Sequence, residues 1–182
     1  MADPAIPLVA LIRGVNVGGR HKLSMADLRS TLFDAGFPDV RTHIQSGNLL
    51  ITPSSDPRRL AKTLEHTIED GFGLEVRVIT RTRRELEDII ARNPFLKPGM
   101  KPSSLHAVFL ESAPAAKRVA DLDPDRSPPD RFVVSSKEIY LHYPNGSGRS
   151  KLNLDYFERK LGVAGTARNW NTVTKLLELL DG

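Results

Sequence analysis

The chain has 182 residues, 40% of them hydrophobic and 26% charged, a composition typical of a globular protein with one large domain or two small ones. It contains no cysteine, which excludes disulfides, zinc–thiolate sites and cysteine nucleophiles. The net charge is +4, and the basic excess lies after residue 91, where 14 Lys or Arg face 10 Asp or Glu.

The N-terminal region predicts neither a signal peptide nor a membrane span. Its apolar run, Ile6–Ile12, has seven residues and ends at Arg13, which is too short for either. The absence of cysteine also fits a reducing compartment. We therefore expect a cytoplasmic protein without a membrane partner.

The first third of the chain predicts a strand, a helix and a hairpin. Leu8–Ile12 is a continuous apolar run, which is typical of a central strand. Ser24 is a good N-cap for a helix that Gly36 ends. Val40–Ile44 and Asn48–Thr52 then read as two strands joined by a tight turn.

A second helix and a strand complete this half. Asp56 caps the helix, and Gly71 and Gly73 mark its end. The apolar residues of Leu74–Val78 alternate with charged ones, which predicts a half-exposed strand. A further helix follows over about Arg83–Ala91, so the order of elements is β-α-β-β-α-β-α.

The same order returns after a Pro-rich segment, Asn93–Ser103, which predicts a linker between two domains. The first domain and its linking helix then occupy residues 1–92, and the second domain residues 104–182. The elements predicted after the linker are a strand at Leu105–Leu110, a helix at Ala115–Leu122, strands at Phe132–Val134 and Ile139–Tyr143, a helix at Leu152–Leu161, a strand at Val163–Ala167 and a helix at Trp170–Leu180.

The two halves also align residue by residue. Leu8–Ile12 matches Leu105–Phe109 at an offset of 97 residues, and Ser46–Ile51 matches Ser136–Leu141 at an offset of 90. This indicates an internal repeat with one loop shortened. The predicted fold class is α+β, a tandem duplication of a ferredoxin-like βαββαβ unit with an extra helix after each repeat.

Two glycine-bearing polar segments are predicted to meet at one edge of the first sheet. Strands one and three of a ferredoxin-like unit are antiparallel neighbours, so Arg13–Lys22, after strand one, lies beside Gln45–Asn48, before strand three. The helix that begins after Ser24 starts at the same edge, which favours an anionic ligand. The structural alternative is that the glycines only supply positive φ angles and that the polar side chains only bond loop backbone.

A third motif surrounds the single tryptophan, Trp170. Arg168 and Trp170 together are suited to binding a phosphate and stacking a base. The alternative is that Asn169 or Asn171 caps the last helix and that Trp170 packs into a domain junction. The candidate ligand residues are therefore Arg13, Asn16, Gly18, Gly19, Lys22, Gln45, Ser46, Asn48, Arg168, Asn169 and Trp170.

Catalytic residues, a metal and a cofactor are not assigned, because neither paired carboxylates nor a metal-ligand spacing of histidines is present. Whether the chain is an enzyme stays open, as does its oligomeric state. We favour a binding site for a small anionic or phosphate-bearing ligand. The alternatives are a nucleic-acid binder that uses the basic segment Asn145–Lys175, and a protein-interaction module.

Four motifs in order also carry a family resemblance. Val9–Gly19, Ile44–Asn48, Asn93–Phe95 and Thr166–Val173 resemble the bacterial domain-of-unknown-function family 1697. The resemblance covers nearly the whole chain and implies an α+β fold with two ferredoxin-like repeats. It implies no activity, because no function is established for the family.

Overall fold

The computed structural model describes residues 7–19, 21–52 and 56–181. Within them the chain forms two four-stranded antiparallel sheets and six α-helices, which confirms the α+β class. The elements are β1 Leu8–Ile12, α1 Met25–Asp34, β2 Arg41–His43, β3 Asn48–Ile51, α2 Pro57–Phe72, β4 Val78–Thr82, α3 Arg83–Ala91, β5 Leu105–Leu110, α4 Ala116–Ala120, β6 Arg131–Ser135, β7 Glu138–His142, α5 Leu154–Leu161, β8 Gly165–Asn169 and α6 Trp170–Leu180.

The first sheet has the strand order β2-β3-β1-β4. Its central strand β1 pairs antiparallel with both neighbours, so that Leu11 lies opposite Asn48 and Ile12 lies opposite Val78. One face of β1 packs on α1 and α2, and the residues of this core include Ala10 and Leu64. The end of β1 therefore lies beside the start of β3, as the predicted topology requires.

The helices of this sheet begin at the N-caps that the sequence predicts, whereas their ends differ in part, since α1 ends at Asp34 before Gly36. The Ser24 hydroxyl accepts a hydrogen bond from the amide of Asp27 at 3.3 Å, which caps α1. The Asp56 carboxylate accepts from the amide of Arg58 at 2.8 Å, which caps α2. Helix α2 continues through Gly71 and ends at Gly73, whose φ of +64° is favourable only for glycine.

The second sheet has the strand order β6-β7-β5-β8. Its core is formed by one face of β5 and β7 packed on α4 and α5, with Phe157 and Leu161 fully buried. The Asn153 side chain caps α5 by accepting from the amide of Tyr156 at 2.9 Å. Both sheets therefore use the same strand order and the same antiparallel pairing.

The chain divides into two compact units. One comprises the chain up to Glu87 together with the chain from Leu176 onwards, and the other is Asp88–Lys175. The domain bounds expected from the sequence, at residues 1–92, 93–103 and 104–182, stay a prediction. No helix within the described residues is long and apolar enough to cross a membrane.

Several bounds differ from the sequence-based expectation; strand β8, for example, is Gly165–Asn169 and not Val163–Ala167, because these are the residues that pair with β5. Strand β4 begins at Val78 and not at Leu74, because the five residues of β1 pair with Val78–Thr82 and leave no partner for the earlier residues. The offset that aligns the first strands of the two sheets also differs by one residue from the expected 97. Leu11 pairs with Asn48 and Phe109 pairs with Glu138, so Leu11 corresponds to a residue 98 positions later.

Candidate functional site

The glycine-rich loop after β1 packs directly against the hairpin turn between β2 and β3. The amide of Ile12 donates to the carbonyl oxygen of Gly47 at 2.8 Å. A Cβ atom on Gly47 would lie 2.6 Å from Cγ2 of Val15 and 2.9 Å from Cβ of Ile12, well inside van der Waals contact. Gly47 also has a φ of +71°. Only glycine therefore fits where the hairpin meets the loop.

Asn16 ties the loop to the hairpin through its side-chain amide. Its Nδ2 donates to the carbonyl oxygen of Leu23 at 2.8 Å and to that of Gln45 at 2.7 Å. Its Oδ1 accepts from the amide of Leu23 at 2.9 Å. The convergence of the two segments that the topology predicts is therefore present as a direct hydrogen bond. Because this amide is used by backbone partners, Asn16 holds the loop in place.

Asn48 has a similar structural position at the start of β3. Its side chain is fully buried, and its Nδ2 donates to the carbonyl oxygen of His43 at 3.0 Å across the turn. The contacts of Asn16 and Asn48 are therefore those of the structural alternative, in which polar side chains of the loop and hairpin only bond backbone. Asn48 is buried, whereas Asn16 is half-buried and reaches solvent in part.

Backbone strain is concentrated at this edge. Four residues other than glycine have positive φ angles among the described residues, and three of them lie in the loop or the hairpin: Asn16 at 55°, His21 at 48° and Ile44 at 51°. Asparagine tolerates this conformation, but a β-branched isoleucine rarely adopts it. Such residues cost about 1–3 kcal/mol each and often mark ligand-binding or catalytic regions.

The remaining candidates of the loop and hairpin reach solvent. Gly18, Gly19, Lys22 and Gln45 are exposed, and Arg13 and Ser46 are half-buried. We call these six residues the loop–hairpin surface.

Two apolar residues beside the loop–hairpin surface were not predicted from the sequence. Val17 is 65% exposed and Ile44 is 52% exposed, which makes them two of the five exposed large hydrophobic residues among those described. The sequence placed Ile44 at the end of the predicted strand Val40–Ile44, where an apolar side chain is ordinary, but β2 ends at His43 and leaves Ile44 in the turn.

The side chains of the C-terminal motif, Arg168–Trp170, pack and hydrogen-bond within the second unit. Arg168 is buried, and its guanidinium donates to Oγ1 of Thr166 at 2.7 Å and to the carbonyl oxygen of Ala167 at 2.8 Å. Burial lowers the pKa of Arg168 to about 10, so the side chain stays charged at neutral pH.

Asn169 and Trp170 also contact other residues of the same unit. The side-chain Nδ2 of Asn169 donates to the carbonyl oxygen of Ser103 at 3.1 Å. Its Oδ1 accepts from the backbone amide of Asn171 at 2.9 Å, which caps α6. Trp170 is 1% exposed, and its ring centroid lies 6.4 Å from that of Tyr140. The ring therefore presents no free face on which a base could stack.

Groups that could hold a metal ion were sought throughout the described ranges. No cluster of three or more His, Asp or Glu side chains occurs in residues 7–19, 21–52 and 56–181.

Comparisons with known proteins add a family and a fold. A family model described as a protein of unknown function, DUF1697, matches residues 7–140. The structure of conserved bacterial protein SP0830 from Streptococcus pneumoniae superposes with a TM-score of 0.74 at 19% sequence identity, covering 97% of this chain and 99% of that chain. This similarity concerns the fold alone. Among curated proteins, none matches the chain.

Proposed function

Since the chain belongs to the DUF1697 family, whose description carries no function, we propose from the geometry that the loop–hairpin surface binds a small anionic or phosphate-bearing ligand. The observation that carries this proposal is the Asn16 clamp. One side chain ties the loop to itself and to the hairpin, and leaves the glycines, Lys22 and Gln45 facing solvent. A preorganised backbone binds a ligand with a smaller loss of conformational entropy.

The chemistry of the loop–hairpin surface favours a negative charge. Lys22 and the half-buried Arg13 are its charged members, and both are basic. Gly18 and Gly19 are exposed with φ angles of 59° and 76°, and space for a side chain is open at both, so a ligand can approach the backbone closely. Helix α1 begins shortly after, at Met25, with the positive end of its dipole at this edge.

A thermal-shift screen of nucleotides, sugar phosphates and inorganic phosphate tests the proposal. A ligand that binds only the folded state stabilises it by about 2.7 kcal/mol at a hundredfold excess over its Kd. Lys22→Gln should remove most of the shift. Lys62→Gln is the matched control, because it removes the same charge from an exposed position on α2.

Two results contradict the proposal. One is a screen in which no phosphate-bearing compound shifts the melting temperature. The other is a shift that survives Lys22→Gln at full size.

A second candidate is a protein-interaction module that uses the same edge. The exposed Val17 and Ile44 favour it, since apolar side chains are enriched in the centres of protein interfaces. Val17→Ser should then weaken binding of a partner protein without affecting the phosphate-dependent thermal shift. Equal loss of both would indicate one shared site.

Nucleic-acid binding remains the third candidate, through the basic segment Asn145–Lys175. Its Arg149 and Lys151 are exposed in the loop before α5. Arg168 and Trp170 are not included, because both are buried. Polarisation measurements with single-stranded oligonucleotides should show an affinity that falls steeply with salt. Absence of binding at low salt would remove this candidate.

Two predictions about architecture and one about cellular location accompany these functions. We propose that each sheet with its helices is a ferredoxin-like unit, because the strand orders β2-β3-β1-β4 and β6-β7-β5-β8 correspond. We also propose that the two units arose by duplication. A cytoplasmic location stays a prediction, for which fractionation of cells is the test.

A further inference from the structure

The edge strands of the two sheets differ in how their backbone is protected. Each four-stranded sheet has two edges, so β2, β4, β6 and β8 are edge strands. An edge strand presents a row of N–H and C=O groups that can pair with another chain. Proteins usually shorten, charge or cover such edges to prevent this pairing.

On two of the edge strands, the amide of the first residue donates to a glutamate in the same manner. On β4 the amide of Val78 donates to Oε1 of Glu65 at 2.8 Å. On β8 the amide of Gly165 donates to Oε1 of Glu158, also at 2.8 Å. In each case the carboxylate comes from the helix that precedes the strand, α2 or α5. These contacts occupy backbone donors that a further strand would need.

The third edge, β2, is short and polar, and the fourth is neither. Strand β2 is Arg41–His43, with three residues. Strand β6 has five residues, and the three in its middle are apolar: Phe132, Val133 and Val134. Among the residues that the structure describes, the backbone of β6 makes no hydrogen bond to any segment other than β7. Val133 is also 39% exposed.

The pairing with β7 determines which backbone groups of β6 face outwards. The amide of Leu110 donates to the carbonyl oxygen of Lys137 at 2.8 Å, so the next residue, Glu138, directs its own backbone groups towards β6 and its partner Ser135. Hydrogen-bonded and non-hydrogen-bonded pairs alternate along an antiparallel ladder. The N–H and C=O groups of Phe132 and Val134 therefore point away from β7.

We propose that β6 pairs antiparallel with β6 of a second copy of this chain, about a two-fold axis at Val133. Phe132 of each copy then lies opposite Val134 of the other, and these two hydrogen-bonded pairs use the outward groups of both strands. The two copies of Val133 face each other in the central non-hydrogen-bonded pair, where side chains approach most closely. The pairing joins two four-stranded sheets into one continuous sheet.

Charge and side-chain orientation also fit self-pairing. The only charged residue of β6 is Arg131, and in this register it lies opposite Ser135, so like charges do not face each other. Phe132 and Val134 pack partly against the core of their own unit. In the proposed register, Phe132 and Val134 of both copies lie on the same face of the joined sheet. The strand thus matches a second copy of itself, as an isologous interface requires.

Sedimentation velocity on the full chain, over a range of micromolar concentrations, tests this proposal. We expect a concentration-dependent dimer. Val133→Lys should raise its dissociation constant about tenfold or more, because it places two ammonium groups opposite each other. Val133→Thr is the matched control, since it keeps the branched shape without a charge, and should leave the dimer largely intact.

Val134→Pro gives an independent test, because proline removes an outward N–H while leaving the ladder to β7 complete. The dimer should be lost, and Val134→Thr should retain it. Hydrogen exchange at the amides of Phe132 and Val134 should also slow as protein concentration rises. A chain that is monomeric throughout, or a dimer that survives Val133→Lys, overturns the proposal. A monomer that instead binds a synthetic peptide of the β6 sequence also overturns it, and indicates a strand from another protein.

Discussion

Replacing Gly47 by alanine should destabilise the first unit far more than the same replacement at Gly73. Both glycines have positive φ angles, +71° and +64°, so alanine is strained at each by about 1–2 kcal/mol. A Cβ at Gly73 meets no atom within 4 Å. A Cβ at Gly47 would lie 2.6 Å from Val15 and 2.9 Å from Ile12, which are both buried. Such overpacking adds about 1–3 kcal/mol.

The expected loss of unfolding free energy is therefore about 2–5 kcal/mol for Gly47→Ala and about 1–2 kcal/mol for Gly73→Ala. Urea titrations followed by far-UV circular dichroism measure the unfolding free energy of both variants. The two values can be compared if the dependence of this free energy on urea concentration, the m-value, is the same in both. Equal losses for the two variants would refute the close contact between hairpin and loop.

A double-mutant cycle assigns the cost to one contact. Val15→Ala removes the Cγ2 atom that the new Cβ would meet most closely. It should therefore reduce the cost of Gly47→Ala, with a favourable coupling of about 0.5–3 kcal/mol. Additive effects would mean that the contact with Val15 does not carry the cost of Gly47→Ala, which would then rest on the contact with Ile12.

Further substitutions test the loop, a strand edge and a buried histidine. Asn16→Asp keeps the acceptor but loses two donated hydrogen bonds, so the unfolding free energy in urea should fall by about 1–3 kcal/mol. Glu158→Ala should cost a similar amount by leaving the amide of Gly165 without its carboxylate, whereas Glu158→Gln keeps an acceptor oxygen and should cost less. Burial lowers the pKa of His106 from its ordinary value of 6.5, so the unfolded chain binds the proton first as the pH falls. Stability should therefore decrease below about pH 6.5, and His106→Phe should reduce this decrease.

The sequence predicts the fold well where elements have clear ends. The bounds of β1 and α6, Leu8–Ile12 and Trp170–Leu180, agree with the structure, because an arginine follows the apolar run of β1 and Asn169 caps α6. The strand proposed from Leu74 failed because alternation describes one chain segment, whereas a strand also needs a partner. Strand β1 provides pairing only from Val78 onwards.

The offset used to align the first strands of the two sheets was one residue wrong for a related reason. Every residue of β1 is buried, so its sequence contains no alternation of apolar and polar residues. A run of this kind can slide by one position in an alignment without any visible penalty, although the slip exchanges the two faces of the strand. Only the pairing of Leu11 with Asn48 and of Phe109 with Glu138 determines the correspondence.

The convergence of the loop and the hairpin was predictable, but the contacts of their side chains were not. Topology alone brings the loop and the hairpin to one edge, because β1 and β3 are antiparallel neighbours. Whether an asparagine faces a ligand or the backbone depends on loop dihedral angles that no periodicity encodes. Asn16, at a φ of 55°, directs its amide to the loop and hairpin backbone, while Lys22 in the same loop remains exposed.

Shared features of the two sheets indicate which buried polar residues serve the scaffold. Arg81 of β4 lies opposite Val9 and donates to the carbonyl oxygen of the preceding residue at 2.9 Å. Arg168 of β8 lies opposite Ala107 and makes the same contact at 2.8 Å. A buried arginine at the same position of both sheets is explained by the architecture, which is the reason to exclude Arg168 from a ligand site.

The glycine-rich loop has no counterpart in the second sheet, and this difference favours function. After β1 the chain runs from Arg13 to Ser24 before α1 begins, whereas after β5 only Glu111–Ala115 precede α4. A short connection is therefore sufficient to join these two elements. The longer loop also contains two of the four positive-φ residues other than glycine in the described chain, Asn16 and His21, which cost free energy. The ligand site proposed on its exposed surface would account for a strained loop that the connection itself does not need.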